Sequence, residues 1–170
     1  TTTAAMARAD DNFAPWSDFK AWMDTAFARA VRAGTDAVHT AAPEARAAIE
    51  GAQIPGWGGY DYAKLAGAVD VMEIYDAGAN LAMARSFNPK LVLLTTSAES
   101  GPAAIHDIWQ EALRGTSGLI LWDPDNKVVR PDGSLGPRGR EVAATFAALR
   151  GRAGDLLLRA PRVAQPVAIM

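Results

Sequence analysis

The sequence predicts an α/β protein: a parallel sheet with crossover helices, amounting to a partial (β/α)8 TIM barrel. Three observations carry this. Helical patterns and short apolar runs alternate strictly along the 170 residues, the order that parallel strands joined by helices require. Residues 91–96, Leu-Val-Leu-Leu-Thr-Thr, form a continuous apolar run of the kind buried on both faces of a sheet. Side chains fit for chemistry collect where the apolar runs end, which is where a parallel barrel keeps its site. Four strands are half of a barrel that takes about 250 residues. A small doubly wound sheet is the main competitor. It wants a phosphate-binding glycine fingerprint on its first βα turn, and Gly56-Trp57-Gly58-Gly59 is not G-x-G-x-x-G.

The elements follow in order. Residues 1–12 are polar and Ala-rich and read as a loop. Pro15 opens a strong helix, with Phe19, Trp22, Met23, Ala26, Phe27, Ala30 and Val31 on one face and Gly34 as its stop. Phe19, Trp22 and Phe27 therefore read as core. Residues 36–46 are a second short Ala-rich segment, interrupted by Pro43. Residues 47–51, Ala-Ala-Ile-Glu-Gly, fit a buried strand, although alanine is a poor strand former. A loop crowded with glycines and aromatics follows. Its Gly51, Gly56, Gly58 and Gly59 supply sharp turns, and Trp57, Tyr60 and Tyr62 supply flat faces.

Residues 61–69 read as a short helix with Tyr62, Leu65, Ala66 and Val69 inward. Residues 71–75 are a strand, and residues 79–87 a helix stopped by Asn88-Pro89. After the run at 91–96, Pro102 opens a helix carrying Ile105, Ile108, Trp109, Ala112 and Leu113 on one stripe, with Gly115 as its stop. Residues 119–122 are a strand, and 124–137 a turn-rich excursion holding Asp132-Gly133. Residues 139–150 are a helix with Val142, Phe146 and Leu149 inward, and 155–159 extend it. Residues 165–169 look like the first strand of something else. On this reading residues 1–160 form the half barrel, and 161–170 begin a following domain.

Composition narrows the function classes. Apolar residues make up 49% and charged residues 21%, a globular composition. The net charge of −2, with Lys and Arg scattered, offers no basic stripe for nucleic acid. With no cysteine, disulfides and thiolate metal sites are excluded. The two histidines, His39 and His106, have no metal-ligand spacing, so no metal or cofactor is expected. No apolar run approaches the roughly 20 residues of a membrane span. Residues 1–11 lack the apolar core of a signal peptide. The chain begins without Met and ends mid-run, so both ends are expected to be cut and the cellular compartment stays open.

Four strand ends can carry a site. The first has Glu50 and Gln53, the second Glu73, Tyr75 and Asp76. The third has Thr95, Thr96, Ser97 and Glu99, the fourth Trp122, Asp123 and Asp125. Carboxylates bind sugar hydroxyls or act on a glycosidic bond, and flat indoles stack on sugar C–H faces, so the mixture suits carbohydrate chemistry. Glu50 and Glu73 each lie inside or end an apolar run. A carboxylate there is costly unless paired or wet, which favours a site over a structural ion pair. Glu99 sits in Ser97-Ala98-Glu99-Ser100-Gly101, where simple solvation is equally good. Asp123 and Asp125 flank Pro124 and fit turn initiation. Trp122 serves as a sugar platform or a capping core residue, and His106 fits a capping role better than a catalytic one. The glycine-rich loop is either a substrate-facing loop or a plain βα connection with its aromatics folded onto the core.

With these residues in view, the chain resembles the family 42 glycoside hydrolases, β-galactosidases built on a (β/α)8 barrel. The likeness rests on Trp57-Gly58-Gly59-Tyr60-Asp61-Tyr62, on Val69-Asp70-Val71-Met72-Glu73-Ile74-Tyr75, on Ile108-Trp109-Gln110-Glu111-Ala112-Leu113-Arg114-Gly115, and on Gly118-Leu119-Ile120-Leu121-Trp122 with the later Asp132-Gly133. It is a likeness of pattern and spans residues 18–169. It implies strands five to eight of the barrel, and hydrolysis of terminal β-galactosides by retention with two glutamates. The family's acid/base glutamate follows an asparagine at the end of strand four. No Asn-Glu pair occurs here, so that residue is expected upstream of Thr1, and these residues alone are expected to be inactive. The nucleophile belongs at the end of strand seven, the 91–96 run. Glu99 is the carboxylate close by, three residues late. Glu50, Gln53, Trp57, Tyr60, Glu73, Tyr75 and Trp122 are then the expected substrate-binding residues. The tail 166–169 resembles the start of the family's next domain, which implies a trimer.

Two other readings stay open. One is a non-catalytic carbohydrate-binding or scaffold barrel, degenerate at strand seven. The other, a barrel isomerase or aldolase, wants a catalytic lysine at a strand end, and none of the four ends offers one. A half barrel also presents unpaired strand edges, which the missing half or a second copy must cover.

Overall fold

The computed structural model describes residues 4–9, 11–55, 58–75 and 79–160. The expectations for Trp57, for Asp76 and for the tail 161–170 lie outside the described residues. The helices are α1 (Ala4–Ala9), α2 (Ala14–Ala41), α3 (Tyr62–Leu65), α4 (Asn80–Phe87), α5 (Gly101–Arg114), α6 (Pro137–Arg150) and α7 (Arg152–Arg159). The strands are β1 (Ala48–Ala52), β2 (Val71–Ile74), β3 (Val92–Ser97) and β4 (Gly118–Leu121). The protein is mixed α/β with a four-stranded sheet in the order β1-β2-β3-β4, and its β1–β2 and β2–β3 pairs are parallel. It divides into two compact units at Thr96/Ser97.

In the first unit, the helices pack on one face of the sheet. Ile49, Met72, Ile74 and Leu93 join Ala28 of α2, Leu65 of α3, and Leu81 and Ala84 of α4 in a single apolar cluster. Strand alternation sends the intervening residues to the other face. That face carries Glu73 and Thr96 together with half-buried Val71, Val92 and Leu94. The register is regular between β2 and β3, from Val71 opposite Val92 to Ile74 opposite Thr95. Between β1 and β2 it slips: Ile49 faces Met72, but Ala52 faces Ile74. One extra residue is therefore bulged out at Glu50-Gly51. Gly51 takes φ +70°, a conformation a side chain resists.

Helix α2 departs from expectation. It starts next to Pro15 as the pattern requires, but runs through Gly34 to Ala41 and absorbs most of the segment expected as a separate piece. A mid-helix glycine costs about 1 kcal/mol relative to alanine. Anchors beyond it offset this: the Thr35 hydroxyl donates to the Ala68 carbonyl at 2.7 Å, and His39 meets Asp70 at 2.8 Å. The helix stops just before Pro43. Phe27 packs on the core, whereas Trp22, expected there too, is 64% exposed and stacks on Phe19. Residues 4–9, expected as loop, form α1.

The second unit has its own small core: Ala104, Ile108 and Val142, with Ile105, Leu119, Leu121, Phe146 and Leu149 against it. Leu113, expected inward on the α5 stripe, is exposed. Gly115 caps α5 as anticipated, in the left-handed conformation with its N–H on the Ala112 carbonyl. α7 does not simply continue α6, because the helix breaks at Gly151. Residues 123–136 are far more ordered than a turn-rich excursion need be. Val129 and Leu135 form an antiparallel bridge closed by the Asp132-Gly133 turn, and the Gly136 N–H donates to the Val128 carbonyl.

Candidate functional site

The first unit gathers its polar side chains at the carboxyl ends of β1, β2 and β3. Glu73 is 2% exposed, which is rare for a carboxylate. Neutral donors hold it. The Thr96 hydroxyl donates to Oε1 at 2.6 Å. The Gly51 N–H, left without a ladder partner by the bulge, donates to Oε2. Each carboxylate oxygen keeps capacity for a further donor. Tyr75, 41% exposed, brings its hydroxyl to within 3.9 Å of where a Cβ on Gly51 would stand. Gln53 turns its amide back to the Gly51 carbonyl at 3.4 Å, and Glu50 is exposed on the bulge itself. Thus Glu73, Gly51, Gln53 and Tyr75 are brought together, and Glu50 sits beside them in the chain.

The glycine-rich loop divides. Tyr62 is buried, with its hydroxyl donating to the Gln53 carbonyl at 3.0 Å, so it fixes the loop from below. Tyr60 packs its ring on Phe27, 5.5 Å between centroids. The Gly59 N–H is capped by Asp24 of α2. Both tyrosines therefore fold towards the helical side, the plainer of the two readings of that loop.

The second unit holds Glu99 and Trp122, and both are exposed. Their backbones are not loose. The Glu99 N–H donates to Ser97 Oγ at 3.2 Å, and the Trp122 N–H donates to the Ser97 carbonyl at 2.9 Å. Arg138, 7% exposed, donates to three backbone carbonyls: Glu99 through Nε, Trp122 through Nη1, and Ser97 through Nη2 at 3.0 Å. Ser97 Oγ donates to Asp107 at 2.7 Å. That hydroxyl proton is committed to a carboxylate, and His106 is 3.9 Å from Asp107 and largely exposed. The trio lacks the serine–histidine hydrogen bond that nucleophilic catalysis needs. Asp123 initiates the following loop by accepting from the N–H groups of Lys127, Val128 and Val129. Burial alone raises its carboxyl, but those three N–H groups and the Arg138 charge outweigh it and hold the carboxyl below the usual range.

At the opposite, amino ends of the first unit's strands, Asp70 accepts from the Ala47 N–H and from His39, each at 2.8 Å. The Ala47 N–H is the largest influence holding its pKa below the usual carboxylate range; burial opposes it, and His39 lowers it further. A carboxylate depressed in the folded state stabilises the fold above its unfolded pKa of about 3.9 and loses that contribution as pH falls through the folded value. Asp70→Asn is therefore expected to cost about 1 kcal/mol at neutral pH and to flatten the acid limb of stability below about pH 4. Urea midpoints measured against pH check this; parallel curves for the two proteins would refute it.

Among the described residues, no three His, Asp or Glu side chains cluster to hold a metal ion, and no helix is long and apolar enough to cross a membrane. The second unit holds a cavity of about 370 Å³ between Ile108, Leu119, Phe146, Leu149 and Leu157. Sequence reading missed Arg138, Thr96 as the partner of Glu73, and Asp24 and Asp107. A lone arginine opening a helix after Gly136-Pro137 carries no local sign of which carbonyls it will reach. Matching the alternation of β2 and β3 could have found Thr96, because it shares the face of Glu73. The chain matches no protein-family model, no curated protein and no solved structure.

Proposed function

We propose that this chain is half of a (β/α)8 barrel, corresponding to strands five to eight, from a retaining glycoside hydrolase acting on terminal β-galactosides or related sugars. The observation that carries the reading is Glu73: a buried carboxylate at the carboxyl end of a parallel strand, held by two neutral donors, on the sheet face opposite the helices. In a barrel that face lines the interior, and its carboxyl ends form the site. A doubly wound sheet would have helices on both faces, and those of the first unit share one. Glu73, oriented by Thr96 and Gly51, accepts two vicinal sugar hydroxyls with its remaining lone pairs. Tyr75, Gln53 and Glu50 supply donors and acceptors around it; in the second unit, Trp122 offers an exposed face of the kind that stacks on sugars. Glu99 is the candidate nucleophile by family resemblance. It would attack the anomeric carbon and break the glycosidic bond, the aglycone leaving as an alcohol with a proton from the family's acid/base glutamate. Water, deprotonated by that same glutamate, then releases the sugar with the configuration retained.

The test is saturation-transfer NMR with methyl β-galactoside. Binding is expected, with transfer to the ring protons that weakens when Glu73 is replaced by Gln. Absence of transfer from galactoside, glucoside and xyloside alike would overturn the reading. A non-catalytic carbohydrate-binding barrel is the second reading. It is favoured by the end of β3, where Thr95, Thr96 and Ser97 stand in place of a carboxylate, and where the Thr96 hydroxyl is already given to Glu73. Galactoside binding by this chain, with turnover by the parent protein unaffected by Glu99→Gln or absent altogether, would select it.

A further inference from the structure

Arg138 has an arrangement that neither folding economy nor the proposed chemistry requires. Its guanidinium is buried, yet the groups it donates to are three neutral carbonyls, those of Ser97, Glu99 and Trp122. The Asp123 carboxylate is close enough to feel this charge but accepts from backbone N–H groups. Holding a buried charge on carbonyls is costly unless every donor direction is used well. A planar fork with five donors suits carbonyls arriving from different segments, which a lysine cannot reproduce.

The consequence falls on two residues. Trp122 has its N–H fixed by the Ser97 carbonyl and its own carbonyl fixed by Arg138. Glu99 has its N–H fixed by Ser97 Oγ and its carbonyl fixed by the same arginine. Both peptide groups of each residue are immobilised, so the direction in which each side chain leaves the backbone is set. The loop after Trp122 is itself rigid: Asp123 satisfies three successive N–H groups, and a Cβ on Gly136 would stand 2.2 Å from the Lys127 carbonyl oxygen. An indole 54% exposed on such a support is held ready to stack on a ligand.

We propose that Arg138 is the positioning residue for Trp122 and Glu99. It does not touch ligand; it sets the angle at which the indole and the carboxylate are presented. Its effect on binding rests on the carbohydrate reading above, whereas its effect on Trp122 does not.

The test uses 19F NMR of the chain labelled with 5-fluorotryptophan, with Trp122→Phe assigning the Trp122 resonance among the five tryptophans. Trp109, on α5 in the same unit, reports whether that unit stays folded. Arg138→Met is expected to shift and broaden the Trp122 line while Trp109 stays in place. It is also expected to weaken methyl β-galactoside about tenfold, or about 1.4 kcal/mol. Arg138→Lys should restore part of both. An unmoved Trp122 line in Arg138→Met would overturn the proposal. Movement of Trp109 and Trp122 together in both variants would also overturn it, making Arg138 a residue of the fold. Movement of Trp122 alone, with no galactoside binding by the unsubstituted protein, would sustain the positioning role and sink the carbohydrate reading instead.

Discussion

Glu73→Ala is expected to destabilise the protein by about 3 kcal/mol, out of proportion to the loss of one side chain. Two donors would lose their acceptor in a buried place: the Gly51 N–H and the Thr96 hydroxyl. A buried unsatisfied donor costs about 1–3 kcal/mol, and the emptied space adds to it. The hydroxyl can rotate to find another acceptor, but the Gly51 N–H is fixed by the bulge. Glu73→Gln is the informative partner. It keeps the shape and one acceptor, and the Thr96 hydroxyl can turn to accept from the new amide, so the cost should fall to about 1 kcal/mol. Urea midpoints for the two variants measure the difference. An alanine variant as stable as the unsubstituted protein would mean that Glu73 does not hold the bulge. The same pair of variants separates fold from function, because the glutamine protein keeps the architecture but offers sugar hydroxyls a weaker, uncharged acceptor.

Gly136→Ala is expected to cost a similar amount, about 3 kcal/mol, through overpacking rather than through a lost bond. The added Cβ would stand 2.2 Å from the Lys127 carbonyl oxygen and 2.5 Å from its carbon. These are backbone atoms, which cannot swing aside as a side chain can. Overpacking of this kind costs about 1–3 kcal/mol and occasionally more. Lys127 is also where Asp123 begins its series of N–H contacts, so relieving the clash pulls that turn apart. The expected signature is local: trypsin should cut faster after Lys127 and Arg130, together with a lowered urea midpoint. An unchanged midpoint and an unchanged cleavage rate would show that the loop backbone yields cheaply, and would weaken the case that Trp122 stands on a rigid support.

How much of this was legible in the sequence depends on the range of the interaction. β3 and the Gly115 cap of α5 could be read directly, because a continuous apolar run and a left-handed glycine are local signals. The order of strands and helices followed from alternation. Trp22 and Leu113 were misplaced in the core for one shared reason: periodicity tells which face of a helix is apolar, but not how far along the helix its partner extends. Gly34 was read as a stop because helix propensity is local, whereas the anchors that carry α2 past it, Thr35 to Ala68 and His39 to Asp70, span about thirty residues of chain. The glycine-rich loop was seen as special, but not as two devices, a bulge at Gly51 that engages Glu73 and a descent at Gly59 onto α2. Within the candidate site, Glu73 announced itself as a carboxylate inside an apolar run. Arg138 did not, since nothing in its own neighbourhood records that Ser97, some forty residues earlier, will receive it.

Helix α2 is about 42 Å long at 1.5 Å per residue, and among the described residues its hydrogen bonds to the rest of the first unit fall on one stretch. Ahead of it the flexible Lys20 side chain lies against Gly58. From Asp24 onward it is held by Gly59, Tyr60, Ala68 and Asp70. Before Asp24 its aromatic contacts are with its own neighbours: Trp16 with Phe13 and Lys20, and Phe19 with Trp22. Amide hydrogens should therefore exchange with deuterium at two rates along one unbroken helix. Those of residues 18–23 are released by local fraying, and those of residues 28–38 by an opening that takes the sheet contacts with it.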